Sequence, residues 1–142
     1  MKQKTKLIFS IISILLLISL NTFSDNKYWV NGSGNWDNPQ HWANTSGGTG
    51  GESIPTITDN VIFDSNSFNS KKQTVNIQSA AFCNDFIWTE TSKKPILKGD
   101  NNSSITINGS FKINDNLKNK FEGEILFIAK ERNINVKSST EF

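Results

Sequence analysis

The sequence predicts an all-β fold, a right-handed parallel β-helix (β-solenoid) with about three strands per coil. Three segments, Val75-Asn76-Ile77, Ile105-Thr106-Ile107 and Ile134-Asn135-Val136, share a β-branched, polar, β-branched pattern and recur at intervals of 30 and 29 residues. Alternation of apolar and polar residues indicates half-buried strands, and recurrence at such a period is typical of stacked repeats. An antiparallel β-sandwich is the alternative, because regular short strands separated by turns fit that fold too.

The composition favours a thin core. Hydrophobic residues make up 35% of the chain and charged residues 20%, below the roughly 45–50% and about 25% of average globular domains. The net charge is +2, but 12 basic residues face 13 acidic ones once Lys2, Lys4 and Lys6 are left out as part of a removable leader. No basic stripe then remains to suit a phosphate backbone, so nucleic acid is not an expected partner.

Residues 1–24 are predicted to be a secretory signal peptide. Three early lysines form its basic region, residues 7–20 form its apolar region, and small residues up to Ser24 precede a cut before Asp25. An uncleaved anchor is the alternative, although the apolar run is shorter than the about 20 residues of a spanning helix. We therefore expect a secreted chain, extracellular or at the cell surface, with no membrane association after cleavage.

Residues 25–72 are predicted to form an aromatic, Gly-rich N-terminal cap region. Trp29, Trp36 and Trp42 lie close together among Gly, Asn, Asp and Pro residues. Terminal repeats of solenoids need capping, which favours rings that fold over the open end of the core. In the alternative, these three rings form an exposed platform on which sugar rings stack, and the chain is a carbohydrate-binding module.

A buried strand is predicted at Val61-Ile62-Phe63, with Asp59 and Asp64 close on either side. The two carboxylates are weak candidates for calcium ligands, since this hard cation takes several oxygen ligands. In the alternative, both carboxylates cap turns by accepting hydrogen bonds from backbone N–H groups. No cofactor and no firm metal site are predicted.

Residues 73–142 are predicted to hold the coils, the last of them incomplete. In this scheme Asn76, Thr106 and Asn135 stack on one outer face, while Ile96 faces inward. The strands predicted for the three coils are 74–77, 85–88 and 95–98, then 104–107, 110–113 and 124–128, then 133–136.

The residue inventory does not favour catalysis. His41 is the only histidine and Cys83 the only cysteine, so the three or four nitrogen and sulfur ligands of a zinc site are not available. Cys83 lies in an apolar strand context and is predicted to be buried. The chain is therefore predicted not to be an enzyme. A glycan-degrading β-helix enzyme that uses a carboxylate pair such as Asp59 and Asp64 is the least favoured alternative.

The region from Trp29 to Trp42, then Pro55, then Asp59-Asn60-Val61-Ile62-Phe63-Asp64, resembles the opening of large secreted Bacteroidetes surface proteins and adhesins. Those proteins are associated with gliding motility and type IX secretion. A similar Gly-Asn-Trp … Trp … Pro … Asp-x-Val-x-Phe pattern opens passenger segments of autotransporter-like proteins. The resemblance covers residues 28–142 and implies a cell-surface or released protein with a repetitive β body.

That resemblance implies a role in adhesion, with extracellular glycans or surface proteins as partners. Family members carry a C-terminal sorting domain, to which nothing before Phe142 corresponds. If the chain ends at Phe142, we therefore expect a periplasmic fate instead of surface display. Because the third coil is unfinished at Phe142, we expect an N-terminal fragment of a longer protein or a truncated reading frame. The leading expectation is a non-enzymatic structural or adhesion segment of a β-helical, adhesin-like protein.

Overall fold

The computed structural model describes residues 24–89, 92–114 and 116–129, and the backbone of residues 134–136. Apart from Ser24, the predicted signal peptide lies outside these residues. Within them the protein is all-β, as predicted. The described part contains no helix long and apolar enough to cross a membrane.

The strands are short, and several of them alternate between buried and half-buried residues. This alternation places one face of each strand on a shared core. The elements are β1 (Asn26–Trp29), β2 (Gly34–Asn35), a 3-10 helix (Pro39–His41), β3 (Trp42–Ala43), β4 (Asn60–Phe63), β5 (Thr74–Ile77), β6 (Ala80–Cys83), β7 (Phe86–Trp88), β8 (Ile96–Gly99), β9 (Ser104–Ile107), β10 (Phe111–Ile113), β11 (Lys118–Phe121), β12 (Glu124–Phe127) and β13 (Ile134–Val136).

These strands form three sheets. The first has the order β13-β10-β7-β4-β1-β3, the second β11-β8-β5-β2 and the third β12-β9-β6. From β4 onward the chain passes through the first, second and third sheets in turn and then returns to the first. Every strand pair in the described residues is parallel except β1 with β3. An antiparallel sandwich, the alternative fold, is therefore not the arrangement found.

The first sheet aligns its apolar residues in register. Phe86 of β7 has Val61 and Phe111 as its Cα partners on either side, and Trp88 has Phe63 and Ile113. All six side chains are buried. Parallel strands about 4.8 Å apart therefore carry these side chains in two columns through the core.

The predicted equivalence of Val75, Ile105 and Ile134 is wrong. These residues lie in β5, β9 and β13, and each of the three strands belongs to a different sheet. Asn76 and Thr106 consequently do not stack on one outer face, and the strand of Asn135 belongs to the first sheet. The pattern misleads because an apolar, polar, apolar triplet describes any half-buried strand and does not say which strand pairs with it.

The register also corrects the strand assignments of the second sheet. Leu97, not Ile96, is the Cα partner of Val75, and Leu97 is fully buried whereas Ile96 is half-buried. Two consecutive apolar residues leave the inward one undecided until the neighbouring strand sets the register. Two further strands within residues 73–142, β6 and β11, were not predicted.

Sheet pairing does not change at residue 73, the boundary predicted between cap and coils. β1 and β4 lie in the first sheet, and β2 pairs in parallel with β5 of the second. The stacking of strands therefore begins at Asn26. The tryptophan-rich segment between β1 and β3 packs at the β1 end of this stack.

Candidate functional site

The three clustered tryptophans lie inside the fold. Trp29 and Trp42 are fully buried and Trp36 is 4% exposed. Trp42 contacts both of the others edge-on, with ring centroids 5.1 Å from Trp29 and 4.8 Å from Trp36. Edge-on contacts of this kind are favourable arrangements of aromatic rings. The indoles thus form the interior of a cap at the β1 end of the stack.

Hydrogen bonds to nearby carbonyls hold two of these indoles in place. Trp29 Nε1 donates to Gly32 O at 2.6 Å, and Trp42 Nε1 donates to Trp36 O at 2.7 Å. The chain turns sharply enough for the first contact because Asn31 and Gly32 adopt left-handed backbone angles, with φ of 63° and 72°. Since a sugar stacks only on an exposed ring face, the cluster offers no such platform in this structure.

His41 belongs to the same cap. Its ring stacks on Trp29 at a centroid distance of 4.7 Å and an interplanar angle of 8°, and its Nδ1 donates to Val30 O at 2.9 Å. A Cβ added at Gly34 would lie 1.8 Å from His41 Nε2. Glycine at position 34 is therefore what lets the imidazole cover Trp29.

Asp59 and Asp64, the calcium candidates, both accept hydrogen bonds within turns. Asp59 Oδ2 accepts from Thr56 N at 2.7 Å and from Thr56 Oγ1 at 2.6 Å. Asp64 Oδ1 accepts from Asn66 N at 2.9 Å, and its Oδ2 accepts from Ser46 Oγ at 2.5 Å. The two backbone contacts, from Thr56 N and Asn66 N, are those of the turn-capping alternative. No group of three or more His, Cys, Asp or Glu side chains suited to a metal occurs in the described part.

Cys83 is fully buried in β6, as predicted. Burial raises the pKa of its thiol far above the ordinary value, and the nearby Asp85 carboxylate adds to the rise. A thiol that stays protonated is a poor nucleophile. The structure therefore places Cys83 with the core residues.

A ladder of asparagine side chains, which was not predicted from the sequence, runs along the stack where the chain enters the first sheet. Asn60 Nδ2 donates to Asn26 Oδ1 at 3.0 Å, Asn84 Nδ2 to Asn60 Oδ1 at 2.9 Å, and Asn108 Nδ2 to Asn84 Oδ1 at 3.2 Å. Stacked amides of this kind stabilise in-register parallel strands. The signal was present, because Asn60, Asn84 and Asn108 recur every 24 residues.

The outer face of the third sheet, also missed, carries exposed apolar side chains. Phe82 of β6 is 42% exposed and Leu126 of β12 is 39% exposed. A groove of about 520 Å³ lies between this sheet and the loop that begins at Ile54. We call Ile54, Phe82, Leu126 and Ile128 the apolar patch. Alternation could not reveal it, since Phe82 in β6 and Leu126 in β12 lie between apolar residues of the opposite face.

Comparison with protein-family models, with curated proteins and with solved structures finds no match for this chain. The functional argument therefore rests on the sequence, fold and contacts of the chain itself.

Proposed function

We propose that the three parallel sheets close into a right-handed β-solenoid, and that this body is a non-enzymatic structural or adhesion segment of a secreted surface protein. The observation that carries the proposal is the order of strand pairing. From β7 to β12, each strand pairs in register with the strand three positions earlier in the chain. Three strands per coil follow from that order, and parallel crossover connections are almost always right-handed.

The contacts along the stack suit a rigid body. The backbone pairs of the three sheets and the asparagine ladder all run in the stacking direction. A secreted chain without an intrachain disulfide depends on such hydrogen bonds and on packing. The single cysteine is free and buried, so the stability of the fold depends on these contacts.

Secretion is part of the proposal because of the basic and apolar leader in residues 1–24. The resemblance of residues 28–142 to Bacteroidetes surface proteins of the gliding-motility and type IX secretion class supports a place at the cell surface. Expression with the native leader in a bacterial host tests this step. We expect the exported product to begin near Asp25 by mass spectrometry. An unprocessed chain that stays in the cytoplasm would contradict it.

Adhesion implies binding through outward side chains, to extracellular glycans or surface proteins. The expected result on glycan and extracellular-protein arrays is saturable binding by the exported chain. Trp36→Phe is the matched control, because a buried ring cannot contact a partner and its conservative replacement should leave binding unchanged. Loss of binding in a folded Trp36→Phe variant would indicate that the binding site lies in the cap.

The non-enzymatic part of the proposal has its own test. Incubation with a panel of polysaccharides should release no reducing ends or unsaturated sugars. Release that disappears in both Asp59→Asn and Asp64→Asn, with folding retained, would make the chain a glycan-degrading enzyme instead.

A further inference from the structure

The apolar patch collects every large apolar side chain that is exposed in the described part of the chain. Ile54 is 41% exposed and Ile128 is 56% exposed, alongside the 42% of Phe82 and 39% of Leu126. Exposed apolar side chains scattered singly need no explanation, but a contiguous group marks a contact surface.

The groove within the patch is suited to an apolar occupant. None of its lining side chains is charged, and most are aliphatic or aromatic. An ionic ligand would therefore lose its hydration there without gaining a partner. The lining residues are Ile54, Pro55, Thr56, Ile57, Phe82, Thr106 and Ile128.

The register places two members of the patch, Phe82 and Leu126, symmetrically about the central strand of the third sheet. Phe82 of β6 and Leu126 of β12 are both Cα partners of Thr106 in β9. If a second copy faces this sheet across a two-fold axis that runs along β9, β6 of one copy lies opposite β12 of the other. Phe82 then meets Leu126 of the second copy, and the reverse contact forms at the same time.

We propose that two copies of this chain associate through the outer faces of their third sheets. Two sheets packed face to face lie about 10 Å apart with their apolar side chains interdigitated. A two-fold pairing of one patch with itself is the commonest symmetry of homo-oligomers. Among the aligned outward residues of β6, β9 and β12, only Glu124 is charged. It is exposed on the outer strand β12 and lies at the rim of the contact.

The size of the patch fits the centre of a dimer interface. The exposed fractions of its four residues correspond to roughly 300 Å² of surface per copy, against about 800 Å² per partner in a standard interface. Interfaces consist of such an apolar centre surrounded by a polar rim.

The second sheet offers a contrast. At its outer positions Lys98 and Lys120 are Cα partners, and Lys118 lies on the same strand as Lys120. Burying that face against its own copy would bring like charges together, which opposes association. The third sheet therefore offers the more favourable self-contact.

The test is the oligomeric state of the chain as the cell exports it. Sedimentation equilibrium should show a concentration-dependent dimer. Phe82→Lys places a charge in the centre of the contact and should weaken dimerisation at least about tenfold. Ile62→Lys, a matched change at a half-buried outward position of the first sheet, should leave it unchanged. Circular dichroism of both variants checks that they are folded.

Cross-linking locates the axis independently. A Thr106→Cys variant should cross-link to itself with a bis-maleimide that spans about 10 Å, the distance between packed sheets. Lys98→Cys should not, and the buried Cys83 leaves the background low.

A chain that stays monomeric overturns the proposal. Monomers that bind phosphatidylcholine vesicles through Phe82 would overturn it too, in favour of lipid. If Phe82→Lys no longer dimerises but still binds on the glycan and protein arrays, the adhesion proposal holds independently of the dimer.

Discussion

Three of the tryptophans, Trp29, Trp42 and Trp88, differ in what their indole N–H groups contact. Trp29 and Trp42 donate to carbonyls, whereas the buried Nε1 of Trp88 has no hydrogen-bond partner in the described part of the structure. A buried donor without a partner carries a desolvation cost that its ring packing has to offset. Trp88 compensates by stacking on Phe63, at a centroid distance of 4.0 Å.

Replacing Trp88 and Trp42 by phenylalanine separates these effects. Both changes remove similar ring volume, but only Trp42→Phe leaves a carbonyl, that of Trp36, without its donor. We expect Trp42→Phe to lower the free energy of unfolding by about 1–3 kcal/mol more than Trp88→Phe does. Urea denaturation followed by circular dichroism measures both. Equal losses would mean that the indole N–H groups do not matter.

The raised pKa of Cys83 predicts a dependence of stability on pH. The folded thiol stays protonated, while the unfolded thiol loses its proton above about pH 8.5. The unfolded state then binds fewer protons, so this contribution to stability is intact below that pH and is lost as the pH rises.

We therefore expect the stability difference between the natural chain and Cys83→Ala to fall by about 1.4 kcal/mol per pH unit above about pH 8.5. Denaturation at three pH values between neutral and alkaline measures it. The variant lacks the thiol, so the difference removes the contribution of titrating lysines. A constant difference would show that the thiol already ionises in the folded state.

At the scale of elements, the asparagine ladder ties the strands of the first sheet together. Asn84 both donates and accepts within it, whereas Asn26 only accepts at its exposed end. Asn84→Ala removes two side-chain hydrogen bonds and Asn26→Ala removes one. At about 0.5–1.5 kcal/mol for each bond, the central change should cost roughly twice as much. Thermal denaturation of the two variants tests this, and equal costs would argue against a ladder.

The cap depends on the close approach of Gly34 to His41. Gly34→Ala should displace the imidazole from Trp29 and destabilise the chain by about 1–3 kcal/mol. In a His41→Ala background the same change should cost little, because the clash is gone. A double-mutant cycle measures this coupling, and tryptophan fluorescence reports whether the indoles become exposed. Additive losses would show that the Cβ at position 34 disturbs something other than the imidazole.

For the whole molecule, strand pairing predicts where stability is concentrated. β7 pairs on both sides, with β4 and β10, and its Phe86 and Trp88 are fully buried. Its amides should exchange with solvent most slowly, and those of the loop near Gly47 much faster. Hydrogen exchange followed by mass spectrometry measures both. Slowest exchange in the cap would indicate that the cap, not the stack, is the most stable unit.

Much of the fold was predictable from local pattern. The strands at residues 61–63, 75–77 and 105–107 were identified because alternation and short apolar runs are patterns of consecutive residues. The buried state of Cys83 followed from its apolar neighbours. The apolar patch was not predictable, because Phe82 and Leu126 each lie between apolar residues, and a run of consecutive apolar residues does not show which of them face outward.

The sequence by itself determined that the chain is all-β and where several of its strands lie, because those properties depend on near neighbours. Only the tertiary structure decided which strands share a sheet. The 30-residue spacing predicted that β5 and β9 are equivalent strands of successive coils, whereas β5 pairs with β8 and β9 pairs with β6. Register depends on the length and course of the loops and on contacts between distant residues. Those long-range contacts also place the tryptophans inside and leave Phe82 exposed.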